Sequence, residues 1–96
     1  KVYPEEIEEA LKLNESVYDC LVVGLTDEKF GQKVVAVISS NEGNIPSEEE
    51  LIAFLKTNLA GYKVPKSILI TNEVKRAPNG KANYKWAREF AESSLS

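Results

Sequence analysis

Ninety-six residues bound the chain to one domain, residues 1–96, near the small end of what can bury its own core. An apolar fraction of 43% and a charged fraction of 28% are those of a globular protein, and no segment approaches the length of a membrane span. The absence of histidine excludes Ser-His and Cys-His catalysis and argues against zinc, and a single cysteine excludes an internal disulfide.

The opening, Lys1-Val2-Tyr3-Pro4-Glu5-Glu6, has no methionine and reads as the interior of a longer chain. Pro4 to Leu13 is expected to be a helix. Proline suits the first turn, Glu5 and Glu6 complement the positive end of the dipole, and Ile7, Ala10 and Leu11 recur at 3/4 spacing. Val17 to Leu25 is β-branched and apolar, a strand that takes in Cys20 as a buried packing thiol. Thr26 to Gly31 reads as a connection. Lys33 to Ser39, nearly all apolar, is a second strand covered on both faces, and the connection is short enough for an antiparallel pair.

Ser47 with Glu50 three residues on forms a capping box, followed by a stripe of Leu51, Phe54, Leu55 and Leu59. Tyr62-Lys63-Val64-Pro65 turns the chain into a third strand, Ser67 to Thr71. After a basic loop, Tyr84, Ala87, Arg88 and Ala91 mark a last helix, with Trp86 and Phe90 packing from it. The order α-β-β-α-β-loop-α predicts a small α+β domain, a mixed three-stranded sheet flanked by helices.

Charge is unevenly spread. Residues 61–88 hold seven basic side chains and one acid, Glu73, a local +6 that leaves −9 for the rest of a chain whose net charge is −3. The asymmetry points to an anionic partner for one loop, Lys75-Arg76-Ala77-Pro78-Asn79-Gly80-Lys81. Pro78, Asn79 and Gly80 are turn residues that fix the backbone and lift Lys81 clear. Lys75 and Arg76 read as solvated. No helix carries a full basic face and the net charge is negative, which counts against nucleic acid. Glu5, Glu6, Glu8 and Glu9 lie on several helix faces, which counts against a metal site.

Four motifs in order resemble one family. Lys-Val-Tyr-Pro-Glu-Glu-Ile-Glu at 1–8 is similar to the segment after the hinge of acyl-CoA synthetases. Leu25 to Ala36 resembles their Gly-x-x-Asp-x-x-x-Gly-x-x-Val-x-Ala hairpin, residues 61–66 their Tyr-Lys-x-Pro turn, and Arg76 to Lys81 their Arg-(Thr/Ser)-Pro-x-Gly-Lys loop. The chain thus resembles the mobile C-terminal domain of an adenylate-forming enzyme, and is most similar to actinobacterial long-chain fatty-acyl or steroid-side-chain CoA ligases.

The resemblance implies a cytoplasmic ligase that uses ATP, Mg²⁺ and CoA, with a fatty or steroid-side-chain acid as substrate and an N-terminal adenylation domain as partner. It implies that this domain alone is inactive. Lys81 takes the role of the adenylation lysine, with Pro78 and Gly80 shaping its loop. Lys1 and Lys56 take places where relatives contact CoA, and Phe30 stands where some relatives have arginine. Glu6 and Glu8 match family carboxylates with a structural part. Two other readings stay open: a stand-alone anion-binding module, and an adenylation domain that loads a carrier protein.

Overall fold

The computed structural model describes residues 2–29, 31–41 and 43–96. It has helix α1 (Pro4–Lys12), strands β1 (Val17–Asp27) and β2 (Gly31–Ser40), helix α2 (Glu48–Lys56), a 3₁₀ turn (Gly61–Lys63), strand β3 (Ser67–Ile70) and helix α3 (Tyr84–Leu95). The sheet order is β1-β2-β3, with β1 antiparallel to β2 and β2 parallel to β3. This is the expected α+β order with a mixed sheet.

The central strand explains the layering. Successive side chains of a strand face opposite ways. On β2, Ala36 and Ile38 join Cys20 and Val22 of β1 in a core with Ile7 and Leu11 of α1 and Leu51 and Leu55 of α2. Val35 and Val37 join Leu21, Val23 and Leu25 in a second core with Ala87 and Ala91 of α3. Two helices thus cover one face and α3 covers the other, which is why Val34 to Ile38 of β2 is an unbroken apolar run. Trp86 and Phe90 stack at a centroid distance of 5.4 Å against the second core.

The hairpin differs from the sequence expectation. Much of the Thr26–Gly31 connection is strand: pairing runs out to Asp27 opposite Gly31. Gly31, at φ +81°, supplies the left-handed turn conformation that the tight reversal needs. In α2 both halves of the capping box form: the Glu50 amide donates to the Ser47 hydroxyl at 3.1 Å, and the Ser47 amide donates to the Glu50 carboxylate at 2.9 Å. The helix stops at Lys56, so Leu59 packs on the core from beyond its end.

Each sheet edge gives one backbone amide to a helix carboxylate. Glu8 of α1 accepts the Val22 amide of β1 at 2.9 Å, and Glu48 of α2 accepts the Ile68 amide of β3 at 2.8 Å. Each takes one outward amide that could otherwise pair with another chain. Among the described residues no helix is long and apolar enough to cross a membrane.

Candidate functional site

The loop between β3 and α3 is built around a closed turn. The Gly80 amide donates to the Ala77 carbonyl at 2.8 Å, and the Ala77 amide donates to the Lys81 carbonyl at 3.0 Å. Pro78 and Asn79 occupy the two middle positions that proline and asparagine favour. Gly80 sits at φ +84°, a conformation open to glycine at no steric cost. The Asn79 side chain accepts the Lys81 amide at 3.1 Å. Lys81 therefore leaves the turn from a backbone fixed on both sides. Its side chain is exposed, and among the described residues no carboxylate pairs with it. An unpaired ammonium on a rigid turn suits an anion brought to it from outside the domain.

Arg76 overturns one expectation. It is not a solvated loop residue. Its Nε and Nη2 donate to the two carboxylate oxygens of Asp19 on β1, each at 2.8 Å, and its Nη1 donates to the Gly80 carbonyl at 3.3 Å. The pair is largely withdrawn from water, with Arg76 29% and Asp19 16% exposed. Lys12 approaches the same carboxylate at 3.2 Å. The Arg76 guanidinium, with help from the Cys20 amide and Lys12, holds the Asp19 carboxyl down at about 2. Lys75 behaves as expected: it is exposed, 3.9 Å from an exposed Glu73.

The other end of the loop is tied down as well. Asn83 caps α3 by accepting the Trp86 amide at 3.1 Å. The Tyr84 hydroxyl donates to the same Glu8 oxygen that takes the Val22 amide, at 2.9 Å. One carboxylate thus joins α1, β1 and α3. Burial raises the Glu8 carboxyl above its usual range, opposed by these two hydrogen bonds. Burial, reinforced by Glu8, pushes the Tyr84 phenol up to about 12. Glu6 binds Lys63 through both oxygens at 2.9 and 3.0 Å and raises its ammonium, fastening the Tyr-Lys turn to α1. Glu6 and Glu8 are structural, as expected. Cys20 is buried, and burial pushes its thiol up to about 12.

The remaining expected residues are dispersed. Lys56 is the last residue of α2, exposed, on the sheet face opposite α3 and away from the element that follows Lys81. Its position suits the negative end of the helix dipole. Lys1 and Phe30 lie outside the described residues. A cleft of about 610 Å³ opens beside the free edge of β1, lined by Val2, Pro4, Val22 to Gly24, Gln32, Val34, Tyr62 and Arg88. The Val22 amide points out of the sheet toward Glu8. By the alternation of an antiparallel ladder, the peptide groups of Gly24, two residues on, point outward too. A Cβ on Gly24 would sit 3.4 Å from the Gln32 side chain, so glycine keeps the cleft wall low. Among the described residues no cluster of three acidic, histidine or cysteine side chains could hold a metal ion.

Asp19 and Tyr84 are the residues that sequence reasoning missed. The only signal was indirect: a basic residue next to the turn must find its partner somewhere, but that partner is 57 positions away.

Comparison with known proteins agrees with this geometry. The model of the AMP-binding enzyme C-terminal domain matches residues 6–81, ending on Lys81 itself. A medium/long-chain-fatty-acid–CoA and 3-oxocholest-4-en-26-oate–CoA ligase of Mycolicibacterium smegmatis is 50% identical over 92 residues, covering 96% of this chain and 17% of its own length. A 3-oxocholest-4-en-26-oate–CoA ligase of Rhodococcus rhodochrous is 46% identical over 89 residues, 93% of this chain and 16% of its own. Among solved structures, the fatty acyl CoA synthetase of Mycobacterium tuberculosis superimposes with a TM-score of 0.88 at 32% identity, over 97% of this chain and 18% of that one. The chain thus spans about a sixth of the length of these relatives. The match runs through the edge strands, the Tyr-Lys turn and the glycine-lysine turn together, and the chain belongs to the family of AMP-binding enzyme C-terminal domains.

Proposed function

We propose that this domain is the C-terminal lobe of an ATP-dependent acyl-CoA ligase acting on fatty or steroid-side-chain acids, and that Lys81 is its adenylation lysine. The observation that carries the reading is the closed Ala77–Lys81 turn, which holds an unpaired ammonium at the end of a fixed backbone. In the first half-reaction a substrate carboxylate oxygen attacks the α-phosphorus of ATP and pyrophosphate leaves. Three anionic groups crowd together. A cation held among them stabilises the transition state more than the separated reactants, provided water is excluded. Lys81 fits that part and needs no proton transfer to perform it.

In the second half-reaction the thiol of CoA attacks the acyl carbon and AMP leaves. Lys81 has no part in it, and the domain turns another face to the active site. The cleft beside β1 suits that face. Its apolar wall and the outward peptide groups of Gly24 match a flexible arm with two amides, and it includes Val2 and Pro4 of the post-hinge segment. Lys1 and Lys56 are the further proposed contacts to CoA. Mg²⁺ would be held by the nucleotide and the N-terminal domain, since the described residues offer it no ligand cluster. The substrate class rests on the names of relatives at 46–50% identity. These same relatives, named as CoA ligases, favour a CoA acceptor over a carrier protein.

The test is Lys81→Ala in the full-length enzyme, with each half-reaction followed separately. ATP–pyrophosphate exchange should fall by at least 100-fold, and thioester formation from supplied acyl-adenylate should stay within a few-fold of the parent. The opposite pattern would remove Lys81 from adenylation.

A further inference from the structure

We propose that Asp19 and Arg76, with Glu8 and Tyr84, form a two-point clamp that positions Lys81 for adenylation. The proposal rests on the reading of Lys81 given above.

The segment from Thr71 to Asn83 contains no helix or strand, so nothing in a backbone ladder fixes the course of its lysine. Side chains fix it instead. Val74 is buried in the second core just before the turn. Two residues on, Arg76 engages Asp19 through two parallel hydrogen bonds, and with its third nitrogen it holds the carbonyl of Gly80, the residue before Lys81. One planar guanidinium thus joins the rigid edge strand to the turn. Beyond the turn, Tyr84 binds Glu8. Glu8 is itself fastened to β1 by the Val22 amide, so both ends of the lysine loop are referred to the same strand.

Arg76 is oriented from within the domain. Three of its five N–H donors, one each on Nε, Nη1 and Nη2, have acceptors within the domain, which fixes its plane and makes it a positioning residue. A fork of this kind fixes orientation as well as distance, which a lysine cannot reproduce. A four-carbon ammonium is useful in catalysis only if its base does not wander. Displacement of a catalytic group by about 1 Å can cost about 100-fold in rate. Asp19 and Arg76 are therefore expected to matter in the half-reaction that uses Lys81 and not in the one that does not.

The experiment uses the full-length enzyme and four variants: Asp19→Asn, Arg76→Met, Arg76→Lys and Lys81→Ala. ATP–pyrophosphate exchange at saturating ATP and acid is compared with thioester formation from supplied acyl-adenylate. The clamp predicts that Asp19→Asn and Arg76→Met lose ~10–100-fold in exchange and less than about 3-fold in thioester formation, with Arg76→Lys in between. Equal losses in both half-reactions mean that the pair merely holds the fold together, and they overturn the proposal. Full exchange activity in Asp19→Asn beside a collapsed Lys81→Ala also overturns it, and leaves the assignment of Lys81 standing. Full exchange activity in Lys81→Ala removes that assignment, and the clamp with it.

Discussion

Replacing Asp19 by asparagine isolates a charge at nearly constant shape. Asparagine can still accept the Cys20 amide, which Asp19 now takes at 2.9 Å, but it cannot offer Arg76 two anionic oxygens. The carboxyl lies at about 2 in the folded chain against an ordinary 3.8. At about 1.4 kcal/mol per pH unit, that difference sets a ceiling of ~2.5 kcal/mol on what ionisation of Asp19 contributes to stability. Arg76 and Lys12 both keep contact with water, so screening lowers the expectation to about 1–2 kcal/mol. Because the folded value lies below the unfolded one, the contribution is complete above about pH 4 and is lost as pH falls toward 2. Urea unfolding of the domain from pH 7 to pH 2 should show Asp19→Asn less stable by ~1–2 kcal/mol at pH 7, with parent and variant converging near pH 2. At neutral pH the same difference is about 5–10 °C in Tm for a domain of this size. A gap that persists unchanged at pH 2, or no gap at pH 7, refutes the reasoning.

Gly80→Ala tests the turn. The φ of +84° is strained for any side chain, and a Cβ there meets nothing within 4 Å, so the cost is the backbone term alone, ~1–2 kcal/mol, with Gly80→Asn milder. Thermal melts rank the three, and an alanine variant as stable as the parent means that the turn does not keep its positive φ in solution. Leu55→Ala removes a fully buried side chain where α2 meets the sheet, and should cost about 2–5 kcal/mol in urea unfolding. A loss under about 1 kcal/mol would place α2 off the core.

Element type was legible in the chain because each element carries a local signal. Ile7, Ala10 and Leu11 show helical spacing, and all three are buried. Ser47 and Glu50 are adjacent on a helix turn, and they meet as expected. The apolar run of β2 has no polar face to turn outward, and the strand is covered on both sides. Pro78-Asn79-Gly80 selects its own turn over four residues. Such signals span one or two turns of chain and need no knowledge of what lies across the molecule. Boundaries were less legible: β1 and β2 extend to Asp27 and Gly31 through pairing with each other, which no single strand records.

The candidate site divides along the same line. The sequence alone determined the turn, its glycine and the lysine at its end. It could not determine what holds that turn in place. Arg76 looked like surface charge because its worth depends on an aspartate 57 residues away, and the structural part expected of Glu8 had no partner to name until Tyr84, 76 residues on, came to meet it. Hydrogen bonds over such separations exist only once the sheet and its helices have packed. Tertiary structure therefore decided which charges are anchors, and it left Lys81 on the turn with no carboxylate partner among the described residues.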